Sequence, residues 1–139
     1  MRLMSLEELL RRRLIERIKP SRELAEKALR LAERDLGTAE RLITGGDYDW
    51  ALAVAYNSML QAGRGLMFRL GYKPSSTHGR IAVLRFLRIL LGEKTDAELL
   101  TLLNRARRKR HRVVYEEAEE TLRWARRFLN RVRELMAED

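Results

Sequence analysis

The sequence of 139 residues lacks several residue types on which common protein classes depend. It has no cysteine, which excludes a disulfide scaffold, a thiolate metal site and a cysteine nucleophile. Its two histidines, His78 and His111, are isolated from each other, so we expect no metal ion and no cofactor. No apolar run approaches the roughly 18 residues of a membrane span, and the charged first residues do not form a signal peptide. We therefore expect a soluble cytoplasmic protein with no membrane segment.

Helix-breaking residues are also scarce, since the chain contains two prolines and eight glycines. The alternation of β-branched residues that marks strands is absent, and Leu, Ala, Arg and Glu dominate, which predicts an all-α chain. The length suits one domain, so we assign residues 1–139 to a single unit. What the chain has in excess is positive charge: 29 Lys and Arg against 20 Asp and Glu give a net charge of +9. This balance favours phosphate-rich partners or anionic surfaces.

Capping residues place the first two helices. Ser5 and Glu8 form a capping-box pattern that opens a helix predicted to run to about Ile18, where Pro20 ends it. Ser21 then caps a second helix, which ends at a pair of glycines. Its apolar residues recur every three or four positions and form a stripe that faces a helix seam, namely Ala25, Leu29, Ala32, Leu36, Ala39 and Ile43.

Glycines also mark the third helix, which we expect to begin near Asp47 or Asp49 and to run to about Leu70. Gly71 permits the left-handed turn that terminates helices. Apolar residues surround most of this helix, which is typical of a central element. Gly63 and Gly65 in its interior predict a close approach of neighbouring helices.

Two further helices follow in the second half of the chain. A short apolar helix should run from about Arg80 to Leu91 and stop at Gly92. Residues 96–139 contain neither glycine nor proline and carry two apolar stripes of different phase. The position of the apolar stripe around the helix shifts across residues 110–114, so we predict a kink or break there.

The densest positive charge lies between Arg105 and Arg112, where six of eight residues are cationic. A solvated basic face is one interpretation of such a run. The spacing of the preceding apolar stripe, however, directs Arg110 toward the apolar side, where an unpaired charge is costly. Arg110 therefore needs an anion or an acidic partner. The other arginines of the run are candidate ligand-binding residues beside it, namely Arg105, Arg107, Arg108 and Arg112.

Arg108, His111 and Tyr115 would share one face of a helix, because they are three and four positions apart. Arginine binds phosphate oxygens bidentately, and histidine, with a reference pKa of about 6.5, can transfer protons near neutral pH. Tyrosine, with a reference pKa of about 10, is better suited to donate a hydrogen bond or to stack. These residue types indicate contact with phosphate or nucleic acid and leave catalysis open.

Other polar residues are weaker candidates for the same cleft. Asn57, Gln61 and Arg64 form one polar strip on the third helix, which either lines the cleft or satisfies polar contacts within the bundle. His78, in a Ser-Thr-His-Gly loop, either contacts phosphate or caps the following helix. Trp50 and Trp124 fit core or interface packing better than base stacking, because both lie outside the basic run.

Several segments of the sequence resemble the HEPN family of helical domains. The last of them, residues 110–115, is similar to the family signature of an arginine, a polar residue, three variable residues and a histidine. The resemblance extends from about residue 47 to residue 117. The other segments that carry it are Tyr56-Asn57-Ser58-Met59, Ala62-Gly63-Arg64-Gly65-Leu66-Met67, Gly71-Tyr72-Lys73-Pro74 and Ser76-Thr77-His78-Gly79.

The resemblance implies an up-and-down antiparallel bundle of four to five helices, commonly a homodimer whose two signatures meet across the symmetry axis. Many members are metal-independent ribonucleases, often toxins paired with a small nucleotidyltransferase antitoxin, and others are non-catalytic binding modules. By position, Arg110 matches the signature arginine and His111 the polar residue, whereas Tyr115 stands where the catalytic histidine is expected. Pairing Arg105 with His111 would restore a histidine but lose the polar residue after the arginine.

Three functions therefore remain open. The first is binding of RNA or a nucleotide through a basic cleft around Arg110 and His111, with Arg105, Arg107, Arg108, Arg112, Asn57, Arg64 and His78 as further ligand contacts. The second is a metal-independent endoribonuclease that uses Arg110, His111 and Tyr115. The third is a structural helical bundle. Tyr115 favours binding over catalysis, and the position of Arg110 favours both over a purely structural role.

Overall fold

The computed structural model describes residues 5–77, 79–93, 97–109 and 115–138. Within these ranges the chain forms six helices and one pair of short antiparallel strands, which confirms the predicted all-α bundle and adds a small sheet to it. The elements are α1 Leu6–Arg11, β1 Ile15–Arg17, α2 Arg22–Thr44, α3 Tyr48–Leu70, β2 Tyr72–Pro74, α4 Gly79–Glu93, α5 Ala97–Lys109 and α6 Tyr115–Ala137.

The helices α2 and α3 form a long hairpin. The Ser21 hydroxyl accepts a hydrogen bond from the backbone N–H of Leu24 at 3.1 Å, as its predicted capping role requires. Three residues connect two 23-residue helices that pack along their length, so the two run antiparallel. The hairpin ends at Gly71, whose φ of 95° lies in the left-handed region expected there.

The central position predicted for α3 is confirmed, because residues on most of its circumference are buried. At Gly63 an added Cβ would lie 2.6 Å from Leu87 Cδ1 and 3.1 Å from Val83 Cγ1, both in α4. At Gly65 it would lie 3.1 Å from the carbonyl oxygen of Ala25 in α2. The two glycines therefore let α4 and α2 approach α3 closely, and this packing offsets their cost of roughly 1 kcal/mol each relative to alanine.

A cluster of ion pairs joins α6 to α2. Arg126 Nη1 donates to both carboxylate oxygens of Glu33, at 3.0 and 2.7 Å, and Arg133 Nη2 donates to Glu33 Oε1 at 3.0 Å. Partly exposed pairs of this kind contribute about 0 to 1 kcal/mol each. The main contribution of α6 to stability is its buried apolar stripe, which includes Ala125 and Val132.

The first predicted helix is wrong in its extent, since α1 ends at Arg11 and residues 15–17 form β1 instead. The capping box of Ser5 and Glu8 is present. β1 pairs with β2 in the register Ile15 with Pro74 and Arg17 with Tyr72. Extended pairing wins here because it buries Ile15, which is 1% exposed, against the helical core.

Two other boundaries concern the second half of the chain. α4 runs to Glu93, so it passes through Gly92 rather than stopping there. The break predicted at residues 110–114 lies outside the described residues; on either side of it, α5 and α6 are two helices that pack against each other. None of the described helices combines the length and the hydropathy that a membrane crossing requires.

Candidate functional site

The residues predicted to carry chemistry surround the connection between α5 and α6. Arg110, His111 and Arg112 lie outside the described residues, as does His78 ahead of α4. Arg107, Arg108 and Tyr115 belong to α5 and α6, and their helical backbone alone is described. α5 ends at Lys109 and α6 begins at Tyr115, so residues 110–114 of the signature fall between the two helices in the sequence.

Arg105 is the member of the basic run whose side chain is described. Its guanidinium carbon lies 5.9 Å from the centre of the Trp124 ring of α6, and the side chain is exposed. Trp124 itself is 7% exposed, which confirms its predicted packing role. The positive charge is attracted to the face of the indole, a contact that does not use the N–H groups of the guanidinium. Within the described part of the chain, Arg105 has no hydrogen bond or ion pair, so its donors are free for an anion.

The side chain of Asn57 contacts α2. Its side-chain amide donates to Asp35 Oδ2 at 3.0 Å, and Asp35 is 9% exposed. Arg34 Nη2 lies 3.5 Å from the other oxygen of the same carboxylate. A carboxylate this deep in a helix seam requires donors, so Asn57 has a structural task between α2 and α3. Ligand binding by Asn57 stays a prediction.

Arg64, two turns further along α3, contacts a different neighbour. Its Nη1 donates to Gln61 Oε1 at 3.2 Å, and its Nη2 would lie 3.7 Å from a Cβ added at Gly79, the first residue of α4. Its Nε is buried without a hydrogen-bond partner. The polar strip predicted on α3 is therefore divided, with Asn57 facing α2 and Arg64 facing the start of α4.

An open groove lies between the end of α2, the start of α3 and the first half of α6. Its volume is about 670 Å³, and it is lined by the apolar residues Ile43, Tyr48 and Leu122. Arg123 also lines it and, among the described residues, has no ion-pair partner. Glu40, Thr44, Glu119 and Arg126 complete the lining. The half-buried Ile43 and Leu122 are members of the stripes predicted for their helices.

Two features of the described surface were not predicted from the sequence. The contact of Arg105 with Trp124 joins different helices, and no local spacing signals it. The second feature is the run of exposed arginines from Arg11 to Arg13 between α1 and β1. Three consecutive arginines are visible in the sequence as a basic segment. The predicted helix through Ile18, however, would point the three side chains in different directions, so it gave no reason to group them.

Comparison with protein families resolves the identity of the fold. The model of the HEPN domain matches residues 25–138, which include α3 to α6 and nearly all of α2. The chain belongs to the HEPN domain family. Comparison with curated proteins and with solved structures gave no match in either set. The HEPN match begins after α1 and β1, so the segment that pairs with β2 precedes the matched domain.

Proposed function

We propose that this HEPN protein binds the phosphate groups of RNA or of a nucleotide at the end of α5. The proposed site combines Arg105 with Arg110 and His111 of the signature, and Arg107, Arg108 and Arg112 supply further positive charge in the sequence. Arginine side chains suit this ligand because their planar donors match phosphate oxygens. The net charge of +9 attracts polyanions from solution.

The geometry of Arg105 is the observation that carries this proposal. An exposed arginine that pairs with a carboxylate has its donors engaged, as Arg126 and Arg133 do at Glu33. Arg105 instead rests over Trp124 with unused donors. The aromatic contact restricts the side chain before binding, which lowers the entropy cost of holding a phosphate.

Binding without cleavage is the preferred form of this function. Tyr115 occupies the signature position of the histidine, and tyrosine is a poor proton-transfer group near neutral pH. The alternative of an active ribonuclease uses Arg110 for the phosphate and His111 for proton transfer. Cleavage of single-stranded RNA in the presence of a chelator separates the two.

We also propose a homodimer, with a nucleotidyltransferase as a candidate second partner. The groove lined by Ile43, Tyr48 and Leu122 supports an interface, because it leaves apolar surface of both α2 and α6 accessible. Trp50, 65% exposed at the start of α3, adds apolar area. Light scattering should give twice the chain mass of 16.4 kDa at micromolar concentration. A monomer mass at that concentration would refute the dimer.

Equilibrium binding of a labelled single-stranded RNA and of a fluorescent nucleotide tests the proposed function. Arg105→Gln should weaken at least one of them about fivefold, less than the loss of a shielded charge-assisted contact, because the Arg105 side chain is exposed and screened by solvent and salt. Arg30→Gln is the matched control, because Arg30 is exposed on α2 and has no ion pair within the described residues. Equal affinities of wild type and Arg105→Gln for both ligands would remove Arg105 from the site.

A further inference from the structure

The turn between α1 and β1 presents a second group of arginines. Arg11, Arg12 and Arg13, which we call the arginine turn, are all exposed. Their side chains form no hydrogen bond or ion pair with any described residue. The nearest acidic residue that follows is Glu16, and Lys73 of β2 already pairs with it at 3.2 Å. Glu7 and Glu8 lie one helical turn before Arg11 and Arg12, and the Glu8 carboxylate belongs to the capping box with Ser5.

The backbone holds the arginine turn firmly on both sides. Leu9 before it and Ile15 after it are 0% and 1% exposed, so both are anchored in the core. The N–H of Leu14 donates to the carbonyl of Leu9 at 3.0 Å, and the N–H of Ser75 donates to the carbonyl of Leu14 at 2.8 Å. The three arginines are therefore displayed from a fixed platform rather than from a loose terminus.

Arg13 is the strained member of the turn. Its φ of 57° lies in the left-handed region, which glycine or asparagine adopts more readily than arginine does. Among the described residues other than glycine, it alone has a positive φ. The backbone conformation thus favours a different residue, and such an outlier at an exposed arginine points to a role of the side chain outside the fold.

The chemistry of the turn points to a phosphate chain. Guanidinium groups bind phosphate oxygens bidentately, and exposed Arg17 and Lys19 extend the positive surface. Stable attachment to a membrane surface requires inserted apolar side chains in addition to the cations. Here the apolar residues face the protein instead, since Ile15 is buried and Leu10 and Leu14 are half-buried.

We propose that the arginine turn is a second contact for the RNA backbone, contributed by the segment that precedes the matched HEPN domain. This inference rests on the proposed function and narrows its ligand to an RNA strand, because a strand offers phosphates to two separate groups of arginines and a single nucleotide does not. The arginine turn would add affinity without reading sequence, since phosphate contacts carry no base information.

The test measures the affinity of a labelled single-stranded RNA over a series of salt concentrations. The double substitution Arg12→Gln with Arg13→Gln should weaken binding about tenfold and reduce the salt slope by about 1.4, since each phosphate contact on a single strand contributes about 0.7. The control removes two exposed cations of α2, Lys27→Gln with Arg30→Gln, and should change affinity less than about twofold.

A single substitution separates binding from folding. Arg13→Gly removes the charge and the left-handed strain together, so it should raise the thermal midpoint while weakening RNA binding. Arg13→Lys keeps the charge and should retain most of the affinity. A purely structural role for Arg13 predicts unchanged affinity in both variants, which would overturn the proposal.

The remaining outcomes distinguish this inference from the proposed function. If Arg105→Gln weakens RNA binding and the arginine-turn variants equal the control, only the inference fails. If the arginine-turn variants weaken binding and Arg105→Gln weakens neither RNA nor nucleotide binding, only the assignment at α5 fails.

If the double substitution releases the protein from anionic phospholipid vesicles and leaves RNA binding intact, the surface is a membrane contact and the inference is overturned. Undetectable RNA binding by wild type also overturns the inference, while the nucleotide assay still reports on Arg105.

Discussion

The two groups of exposed arginines differ in what holds them. At the end of α5, Arg105 is oriented by the ring of Trp124, and both residues lie within the matched HEPN domain. At the arginine turn no ring contact to a described residue holds the side chains, and the backbone fixes their origin through Leu9 and Ile15. An oriented guanidinium can position one phosphate, whereas three flexible arginines on a rigid turn supply charge along a strand.

A third group of arginines has a structural role. Arg126 and Arg133 share the carboxylate of Glu33, so their charge serves the contact between α2 and α6. The net charge of +9 includes the arginines of all three groups and does not distinguish paired from unpaired ones. The neighbours of each arginine, and not the total charge, therefore separate candidate ligand contacts from structural ones.

The largest expected effect is at the signature. Arg110→Ala should weaken RNA or nucleotide binding by more than about 1.5 kcal/mol, over tenfold, because it removes a charge-assisted contact at the centre of the site. Arg13→Gln, with the same loss of charge at the arginine turn, should cost less. Fluorescence anisotropy measures both, and circular dichroism checks that helicity is intact. Equal losses would break the distinction between a positioned contact and a diffuse one.

The next prediction concerns the ring that holds Arg105. Trp124→Leu should weaken binding about threefold, in line with a cation–π contact of roughly 0.5 to 1 kcal/mol. Trp124→Phe keeps an aromatic face and should lose less. Trp124 is also part of the core, so thermal denaturation has to show that both variants are folded at the assay temperature. Identical affinities for the two variants would show that the ring does not orient Arg105.

A prediction about cleavage separates the binding site from an active one. Wild type should cut single-stranded RNA weakly or not at all, because Tyr115 replaces the expected histidine. Tyr115→His should gain cutting that persists in a chelator, and adding His111→Ala should abolish it. Gel analysis of a labelled RNA measures all three. Equal cutting by every variant would indicate a contaminating nuclease.

The smallest effect is expected in the structural group. Arg133→Gln should change RNA affinity less than about twofold and lower the free energy of unfolding by about 0 to 1 kcal/mol, because one partly exposed ion pair is lost. Urea denaturation measures the free energy of unfolding, and fluorescence anisotropy measures the RNA affinity. A loss of affinity as large as that of Arg105→Gln would show that carboxylate pairing does not exclude an arginine from binding.

Much of the helical framework could be predicted from sequence because its signals are local. The Ser21 cap, the left-handed Gly71 and the close approach at Gly63 each depend on one residue type at one position. The division of the last stretch into α5 and α6 agrees with the change of apolar phase within it. Such signals need no knowledge of which elements meet in space.

Contacts between segments that are far apart in the chain could not be predicted from the sequence. β1 has three residues without alternation, and its pairing depends on β2, which follows the entire α2–α3 hairpin. The partner of Asn57 is Asp35 on another helix, and the partners of Glu33 lie 93 and 100 residues away. In the candidate site the basic run was visible in the sequence, whereas the contact that orients Arg105 was not.

Photo-crosslinking tests the central claim, that RNA lies against the end of α5 and the first half of α6, most directly. A single-stranded RNA carrying 4-thiouridine is irradiated with the wild-type protein, and the crosslinked peptides are mapped by mass spectrometry. We predict crosslinks in peptides that contain Arg105 or Trp124, and their loss in Arg110→Ala at equal protein concentration. Crosslinks confined to other surfaces, such as the exposed face of α2, or unchanged in Arg110→Ala, would contradict the account.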